Sequence, residues 1–199
     1  MDIAHTRTLI EKSYSLDESK RYTVRELTHE QFEIFKNQGI QILKYFPPQS
    51  LSCAYISALW VELARQNGLS AYLVAGTLDL RGRRIFNYEN EIEYCSVVEK
   101  WNGHCWIICN NLIGDASLFR TAYADSSPRW LQDLVINSFG KGRGLLIGTN
   151  ANLLEDGLVY SSKYIFTDDQ LGGLVKHAYK IISEYFKISP NSVETNELH

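Results

Sequence analysis

The sequence predicts a single α+β domain in which helices flank an antiparallel sheet. At 199 residues and 45% hydrophobic content, the chain is long enough for one well-buried core, and it shows no internal repeat or long linker. Towards both ends of the sequence, apolar residues recur at helical spacing next to helix-capping residues. In the middle, apolar and polar residues alternate as they do in strands. We expect one domain over 1–188, with its core at about 28–166 and a last helix at 168–187, followed by a disordered tail at 189–199.

The N-terminal part leads into the first well-signalled helix. Residues 1–27 are weakly patterned and predict a short helix with a connecting arm. Thr28 and Gln31 have the spacing of a capping box, so a helix should begin there. Pro47 and Pro48 should end that helix, because the residue before a proline disfavours helical geometry.

The following helix carries Cys53 in its first turn. Ser50 or Ser52 can cap it, and Gly68 offers a left-handed stop. Apolar residues recur at helical spacing in between, namely Ile56, Leu59, Trp60, Leu63 and Ala64. Cys53 lies three residues before the first of these, at the edge of the buried stripe. Its thiol should therefore face the interior or a cleft.

After Gly68 the pattern changes to strands with period two. The predicted strands are 71–80, 83–88, 94–99, 103–109 and 112–116, with further strands at 145–148 and 158–166. Arg81 and Gly82 join the first two strands. A helix is predicted at 128–138, a glycine-rich loop at 140–144, and a second capping box at Thr167 that opens the last helix.

Composition and charge argue against several classes of protein. A net charge of -3 and a pI near 6.0 give no electrostatic reason to expect nucleic acid or an anionic membrane as partner. No segment approaches the roughly 18 consecutive apolar residues of a membrane span. The N-terminal segment lacks the basic and apolar regions of a secretory signal. We therefore expect a cytoplasmic protein with reduced cysteines.

A metal site and a cofactor are not expected. Cys95, His104, Cys105 and Cys109 have the residue types of a zinc site. Their spacing contains no C-x-x-C pair, and in an extended strand the two later cysteines point away from the histidine.

A thiol at a helix start needs a further group before it becomes a good nucleophile. The N-terminus of a helix stabilises a nearby thiolate by about 0.3 to 1 kcal/mol. This is too little to lower the pKa of a thiol from about 8.5 to well below neutrality. An imidazole is needed, and His104 can supply it.

Strand geometry links that histidine to an aspartate. If Asn110 and Asn111 form a two-residue turn, counting back along the hairpin places Trp106 opposite Asp115. Since side chains alternate between faces, His104 and Asp115 then lie on the same face as diagonal neighbours. A slip of one residue would separate them.

With these residues assembled, the chain resembles the transglutaminase-like branch of the papain-like cysteine enzymes. The resemblance covers roughly residues 50–120 and rests on SCAYISALWVELA, LSAYLVAG, GHCW and GDAS in that order. It implies a papain-like fold with Cys53 as nucleophile, His104 as base and Asp115 as the group that orients the base. We expect the thiol to face the sheet surface that bears His104.

The implied reaction is attack on an amide carbonyl of a peptide or protein substrate, through a thioester acyl-enzyme that water or an amine resolves. The Cys53 backbone N–H and the Gln49 side chain are the candidate oxyanion donors. Trp106 should wall the site or touch the substrate. Two alternatives stay open: a catalytically silent relative that binds a peptide or protein in the same cleft, and a redox-sensing thiol protein.

Overall fold

A computed structural model describes residues 3–22, 24–48, 52–88 and 103–188 of the chain. Its helices are α1 (Ile3–Ser13), α2 (Leu16–Arg21), α3 (His29–Tyr45), α4 (Cys53–Gln66), α5 (Leu118–Tyr123), α6 (Arg129–Phe139), α7 (Asn150–Glu155) and α8 (Asp168–Ile188). Its strands are β1 (Ala71–Leu80), β2 (Arg83–Phe86), β3 (His104–Cys109), β4 (Leu112–Asp115), β5 (Leu146–Thr149) and β6 (Leu158–Ile165). The predicted α+β class is confirmed.

The helix ends follow the local signals in the sequence. At the start of α3, Thr28 N–H donates to Gln31 Oε1 at 3.0 Å and Gln31 N–H donates to Thr28 Oγ1 at 3.2 Å. The predicted capping box is therefore present. Gly68, just after α4, has a φ of 74°, the left-handed conformation that ends a helix.

The sheet is antiparallel and curled, with β1 at its centre. β3 pairs with the first six residues of β1 and β2 with the last three, whereas β6 runs along the opposite edge. β4 and β5 extend the sheet beyond β3. Because β2 and β3 share one edge of β1, the end of β2 lies beside the start of β3. This brings Phe86 next to His104.

The turns fix the strand register. Asn110 has a φ of 53°, and the β3–β4 ladder pairs Cys109 with Leu112 and Ile107 with Gly114. The predicted two-residue turn is confirmed, and Trp106 and Asp115 are next in that register. Arg81, with a φ of 51°, likewise begins the turn between β1 and β2.

The sheet carries a hydrophobic cluster on each face. Helices α3, α4 and α8 cover one face, where they meet Cys105, Ile107 and Cys109 of β3. Helices α1, α5, α6 and α7 pack on the other, which bears Trp106 and Ile108. The alternation of β3 thus separates the two clusters, and each side chain from Cys105 to Cys109 belongs to one of them.

Several details differ from the prediction. The N-terminal region forms two helices, α1 and α2, where one was expected. The short helices α5 and α7 were not predicted, because six residues carry too little periodicity to be recognised. The predicted strand at 94–99 and the tail at 189–199 lie outside the described residues. Among the described helices, none combines the length and apolar character that crossing a membrane requires.

Candidate active site

Cys53 is the first residue of α4 and is half-buried. The first hydrogen bond of this helix runs from the Ile56 N–H to the Ser52 carbonyl at 3.0 Å. The N–H groups of the first turn therefore have no acceptor within the helix, and they favour negative charge close to them. Ser52 is the N-cap residue, although its side chain makes no capping hydrogen bond. Ser50, the other predicted cap, lies outside the described residues.

His104 opens β3 and is buried, with 1% of its surface exposed. Its Nε2 atom lies 2.6 Å from Asp115 Oδ2. The Phe86 ring stacks on the imidazole with centroids 4.3 Å apart and planes within 9°. A hydrogen bond at one edge and an aromatic face above the ring fix the orientation of the imidazole.

Asp115 ends β4 and is fully buried. Its Oδ1 atom accepts hydrogen bonds from the Ser117 N–H at 2.9 Å, the Ser117 hydroxyl at 3.0 Å and the Leu118 N–H at 3.0 Å. Its Oδ2 atom accepts from His104 and from the Tyr160 hydroxyl, the latter at 2.8 Å. Five donors therefore surround a buried carboxylate, which compensates for the loss of water.

The buried imidazole and carboxylate stabilise each other as charged groups. Burial would lower the pKa of His104, but the charge and hydrogen bond of Asp115, followed by those of Cys53, raise it to about 10. Burial would raise the pKa of Asp115, whereas the His104 charge and hydrogen bond and the Ser117 and Leu118 N–H groups lower it. Both pKa shifts therefore favour the imidazolium–carboxylate form of the pair.

The Cys53 thiol is acidified. A hydrogen bond with the Cys105 thiol lowers its pKa most. Burial opposes this, and the hydrogen bond and charge of His104 and the Cys105 backbone N–H lower it further. The net result is a pKa well below the ordinary value of a thiol. By contrast, burial raises the pKa of Cys109 to about 12. The two cysteines therefore differ sharply in nucleophilic character.

The expectation that Cys53 faces the sheet surface bearing His104 is wrong. Helix α4 packs on the face that bears Cys105, whereas the His104 ring stacks with Phe86 and lies 6.2 Å from Trp106 on the other face. His104 is the first residue of β3, so a side chain can reach it around the end of the strand. The thiol and the imidazole consequently meet at the edge of the sheet.

The two ring nitrogens of His104 have different environments. Nε2 is bonded to Asp115, whereas Nδ1 is buried and has no partner of standard hydrogen-bond geometry among the described residues. The Cys53 thiol is nevertheless close enough to raise the imidazole pKa. The thiol–imidazole contact is therefore looser than the imidazole–carboxylate bond, as is common in sites without substrate. Nδ1 is the atom that can exchange a proton with the thiol.

Arg120 of α5 connects the two halves of this site. Its guanidinium donates to the Phe46 carbonyl at 3.1 Å and also to the carbonyl of Pro47. Those carbonyls precede α4, while α5 follows Asp115 directly. The loop that leads to the nucleophile is thus tied to the segment that follows the aspartate.

The remaining predicted site residues are placed less centrally. Trp106 is fully buried, which agrees with a wall behind His104 and leaves its indole no exposed surface for a substrate. Gln49 lies outside the described residues. No group of three or more metal-ligating side chains occurs within the described ranges.

Three residues of the site were not found from the sequence, namely Phe86, Cys105 and Tyr160. Each depends on a contact between distant elements. Tyr160 reaches Asp115 from β6, 45 residues later in the chain. The strand pattern predicted β6, but no sequence signal indicates that β6 pairs with β1.

A concave region lies at the other end of α4, away from Cys53. A cavity of about 690 Å³ is lined there by Tyr14, Arg65 and Asp168, among other residues. Arg65 donates to Asp168 at 2.6 Å, to the Tyr14 hydroxyl at 2.9 Å and to the Ala71 carbonyl at 2.8 Å. Because its guanidinium is satisfied by these internal partners, Arg65 is not a free cation for an anionic ligand.

Comparison with known proteins gives this arrangement no relative. No family model matches the chain, and neither the curated proteins nor the solved structures contain a significant match to it.

Proposed function

We propose that this protein is a cysteine-dependent enzyme that attacks an amide carbonyl of a peptide or protein. One observation carries the proposal: the buried His104–Asp115 pair keeps Nδ1 available next to an acidified thiol at the start of a helix. A purely structural histidine usually has both ring nitrogens satisfied when it is fully buried. The arrangement suits a thiolate–imidazolium nucleophile.

The reaction follows from the positions of these groups. The Cys53 thiolate attacks the carbonyl carbon, and the resulting oxyanion collapses as the C–N bond breaks. The leaving amine takes the proton from His104 Nδ1. Water or an amine then attacks the thioester, returns its proton to Nδ1 and releases the Cys53 sulfur. Asp115 holds the imidazole and stabilises its charged form.

The start of α4 supports stabilisation of the oxyanion. The Cys53 backbone N–H belongs to the first turn, where N–H groups have no acceptor within the helix. A donor of this kind can hydrogen-bond the developing negative charge. The Gln49 side chain stays a predicted second donor.

The arrangement of elements supports a transglutaminase-like fold. A cysteine begins a helix, a histidine lies on a strand, and an aspartate follows on the next antiparallel strand. A reactive thiolate also persists best in a reducing compartment, which supports the cytoplasm as its place of action.

The alternative is a module that binds a peptide or protein at the same site without catalysing a reaction. The near-complete burial of His104 favours it, because only Cys53 of the three predicted residues is partly exposed. A substrate amine would have to approach Nδ1 past the thiol.

The test is a panel of peptides with internal amides and glutamine side chains, incubated with and without a primary amine. We expect mass spectrometry to reveal a hydrolysis or amine-exchange product and an acyl adduct on Cys53. Cys53→Ala should abolish both, whereas Cys109→Ala, on the face that packs against α4, should retain them. Peptide binding without turnover, equal in wild type and Cys53→Ala, would instead establish the binding module.

A further inference from the structure

The thiols of Cys53 and Cys105 are direct neighbours. The Cys105 side chain and its backbone N–H both lie near enough to the Cys53 sulfur to lower the pKa of that thiol. Both side chains pack in the same hydrophobic cluster between α4 and the sheet. Cys53 therefore has two partners, an imidazole at the edge of the sheet and a second thiol beneath it.

The helix is held over Cys105 by a separate contact. Ser57 lies one helical turn after Cys53, and its hydroxyl donates to the Cys105 carbonyl at 3.1 Å in a buried environment. This bond fixes the first two turns of α4 against β3. The proximity of the two sulfurs consequently results from the packing of the helix and not from a mobile loop.

The two cysteines differ in accessibility. Cys53 is half-buried, whereas Cys105 has 0% of its surface exposed. Of the two residues, Cys53 is therefore the one closer to solvent and the one that a dissolved oxidant meets first. Because the two thiols are neighbours, the buried Cys105 can still react with Cys53.

The geometry points to a reversible disulfide between Cys53 and Cys105, formed by a hydroperoxide at the active-site cysteine. The Cys53 thiolate attacks a peroxide oxygen, the O–O bond breaks, and Cys53 becomes a sulfenic acid. The released hydroxide takes the imidazolium proton and leaves as water. The Cys105 sulfur then attacks the Cys53 sulfur, whose hydroxyl departs with the Cys105 proton as a second water.

The disulfide would have two consequences at the site. It removes the nucleophile, so that the proposed amide chemistry stops in an oxidising environment. It also prevents oxidation of Cys53 to the sulfinic acid, which is irreversible in most proteins. The inference rests on the activated thiol of the proposed function, but its test requires no substrate.

The experiment exposes the full chain to hydrogen peroxide and follows Cys53 by iodoacetamide labelling and non-reducing peptide mapping. In the wild type we expect labelling of Cys53 to be lost, a Cys53–Cys105 linked peptide to form, and dithiothreitol to restore labelling. In Cys105→Ala and Cys105→Ser, Cys53 should proceed to sulfinic acid that dithiothreitol does not reverse. Cys109→Ala is the matched control, since Cys109 is equally buried on the same face of β3, and it should behave as wild type.

Four outcomes would overturn the inference. If the wild type forms sulfinic acid at Cys53 and no Cys53–Cys105 linked peptide, the disulfide is refuted. The proposed function is not, because that oxidation itself requires a reactive Cys53 thiol. Linkage of Cys53 to Cys95 or Cys109, or full recovery of Cys105→Ala in dithiothreitol, would show that Cys105 is not the resolving thiol. A Cys53 as unreactive as Cys109 towards both peroxide and iodoacetamide would contradict this inference and the proposed function together.

Discussion

At the scale of single residues, Asp115 organises the site. Its two carboxylate oxygens accept hydrogen bonds from different parts of the chain. Oδ1 accepts from the segment that leads into α5, and Oδ2 accepts from His104 and Tyr160. Tyr160 competes with the imidazole for the same oxygen and reduces the negative charge that His104 experiences. It is therefore a positioning residue that also tunes the imidazole.

Tyr160→Phe should show both effects. Losing a hydrogen bond to a charged group should lower the free energy of unfolding by about 1.5 to 3 kcal/mol. The His104 pKa should rise further, because Oδ2 is left with more charge for the imidazolium. Urea unfolding and an NMR titration of the imidazole measure the two quantities. Tyr179→Phe, at a tyrosine that is 51% exposed, should change neither, and an unaltered or lowered His104 pKa in Tyr160→Phe would refute the tuning role.

At the scale of elements, the site depends on close contact between β4 and the helices over it. Gly114 precedes Asp115, and a Cβ there would lie 2.7 Å from the Trp60 ring and 2.9 Å from the Phe35 ring. Those rings stack on each other, with centroids 4.5 Å apart, in the core between α3 and α4. Gly114 therefore sets how closely β4 approaches the nucleophile helix.

Gly114→Ala should destabilise the protein by about 1 to 3 kcal/mol, because the core has no room for the added methyl group. It should also slow alkylation of Cys53, since α4 and β4 must move apart. Gly172→Ala in α8 is the control, because a Cβ there meets open space and alanine favours the helix by roughly 0.5 to 1 kcal/mol. Thermal unfolding separates the two variants, and equal stability of both would be incompatible with tight packing at Gly114.

The elements also show what could be predicted from the sequence. Capping residues and alternation define α3, β1 and the β3–β4 turn, so the pairing of His104 with Asp115 follows from local rules. The face on which α4 packs does not, because β3 is apolar on both sides and has no polar alternation to mark the exposed one. For the same reason, the contact between Cys53 and Cys105 could not be predicted from the sequence.

At the scale of the whole molecule, the buried charges link stability to pH. Asp115 has a lowered pKa in the folded state, so its contribution is complete above its unfolded value of about 3.9 and is lost as the pH falls through the folded value. On the alkaline side, His104 and Cys53 act in opposite directions. The raised imidazole pKa loses its stabilisation as the pH rises towards about 10, whereas the lowered thiol pKa contributes more as the pH rises. The loss of stability at acidic pH is therefore the clearer test of the buried charges.

Asp115→Asn should lower the free energy of unfolding at neutral pH by about 3 to 5 kcal/mol, because it leaves the imidazolium buried without its partner. The difference from wild type should shrink in acid, where the wild type protonates Asp115. Urea titrations at neutral and acidic pH measure this. Asp125→Asn, at an exposed carboxylate, should have little effect at either pH. A constant difference across the range would mean that Asp115 is not ionised in the folded protein.

The central claim is that His104, acting together with Cys105, makes Cys53 a thiolate near neutral pH. The rate of iodoacetamide alkylation at Cys53 tests it most directly. At about pH 6, where an ordinary thiol with a pKa of about 8.5 is almost fully protonated, we predict that Cys53 reacts much faster than Cys109. We further predict that His104→Ala, shown to be folded by circular dichroism, loses part of this advantage and needs a higher pH than the wild type to reach the same rate, while Cys105 still lowers the pKa of its Cys53 thiol. Wild-type Cys53 that follows the pH dependence of an ordinary thiol, with no change in that dependence in His104→Ala, would contradict the thiolate.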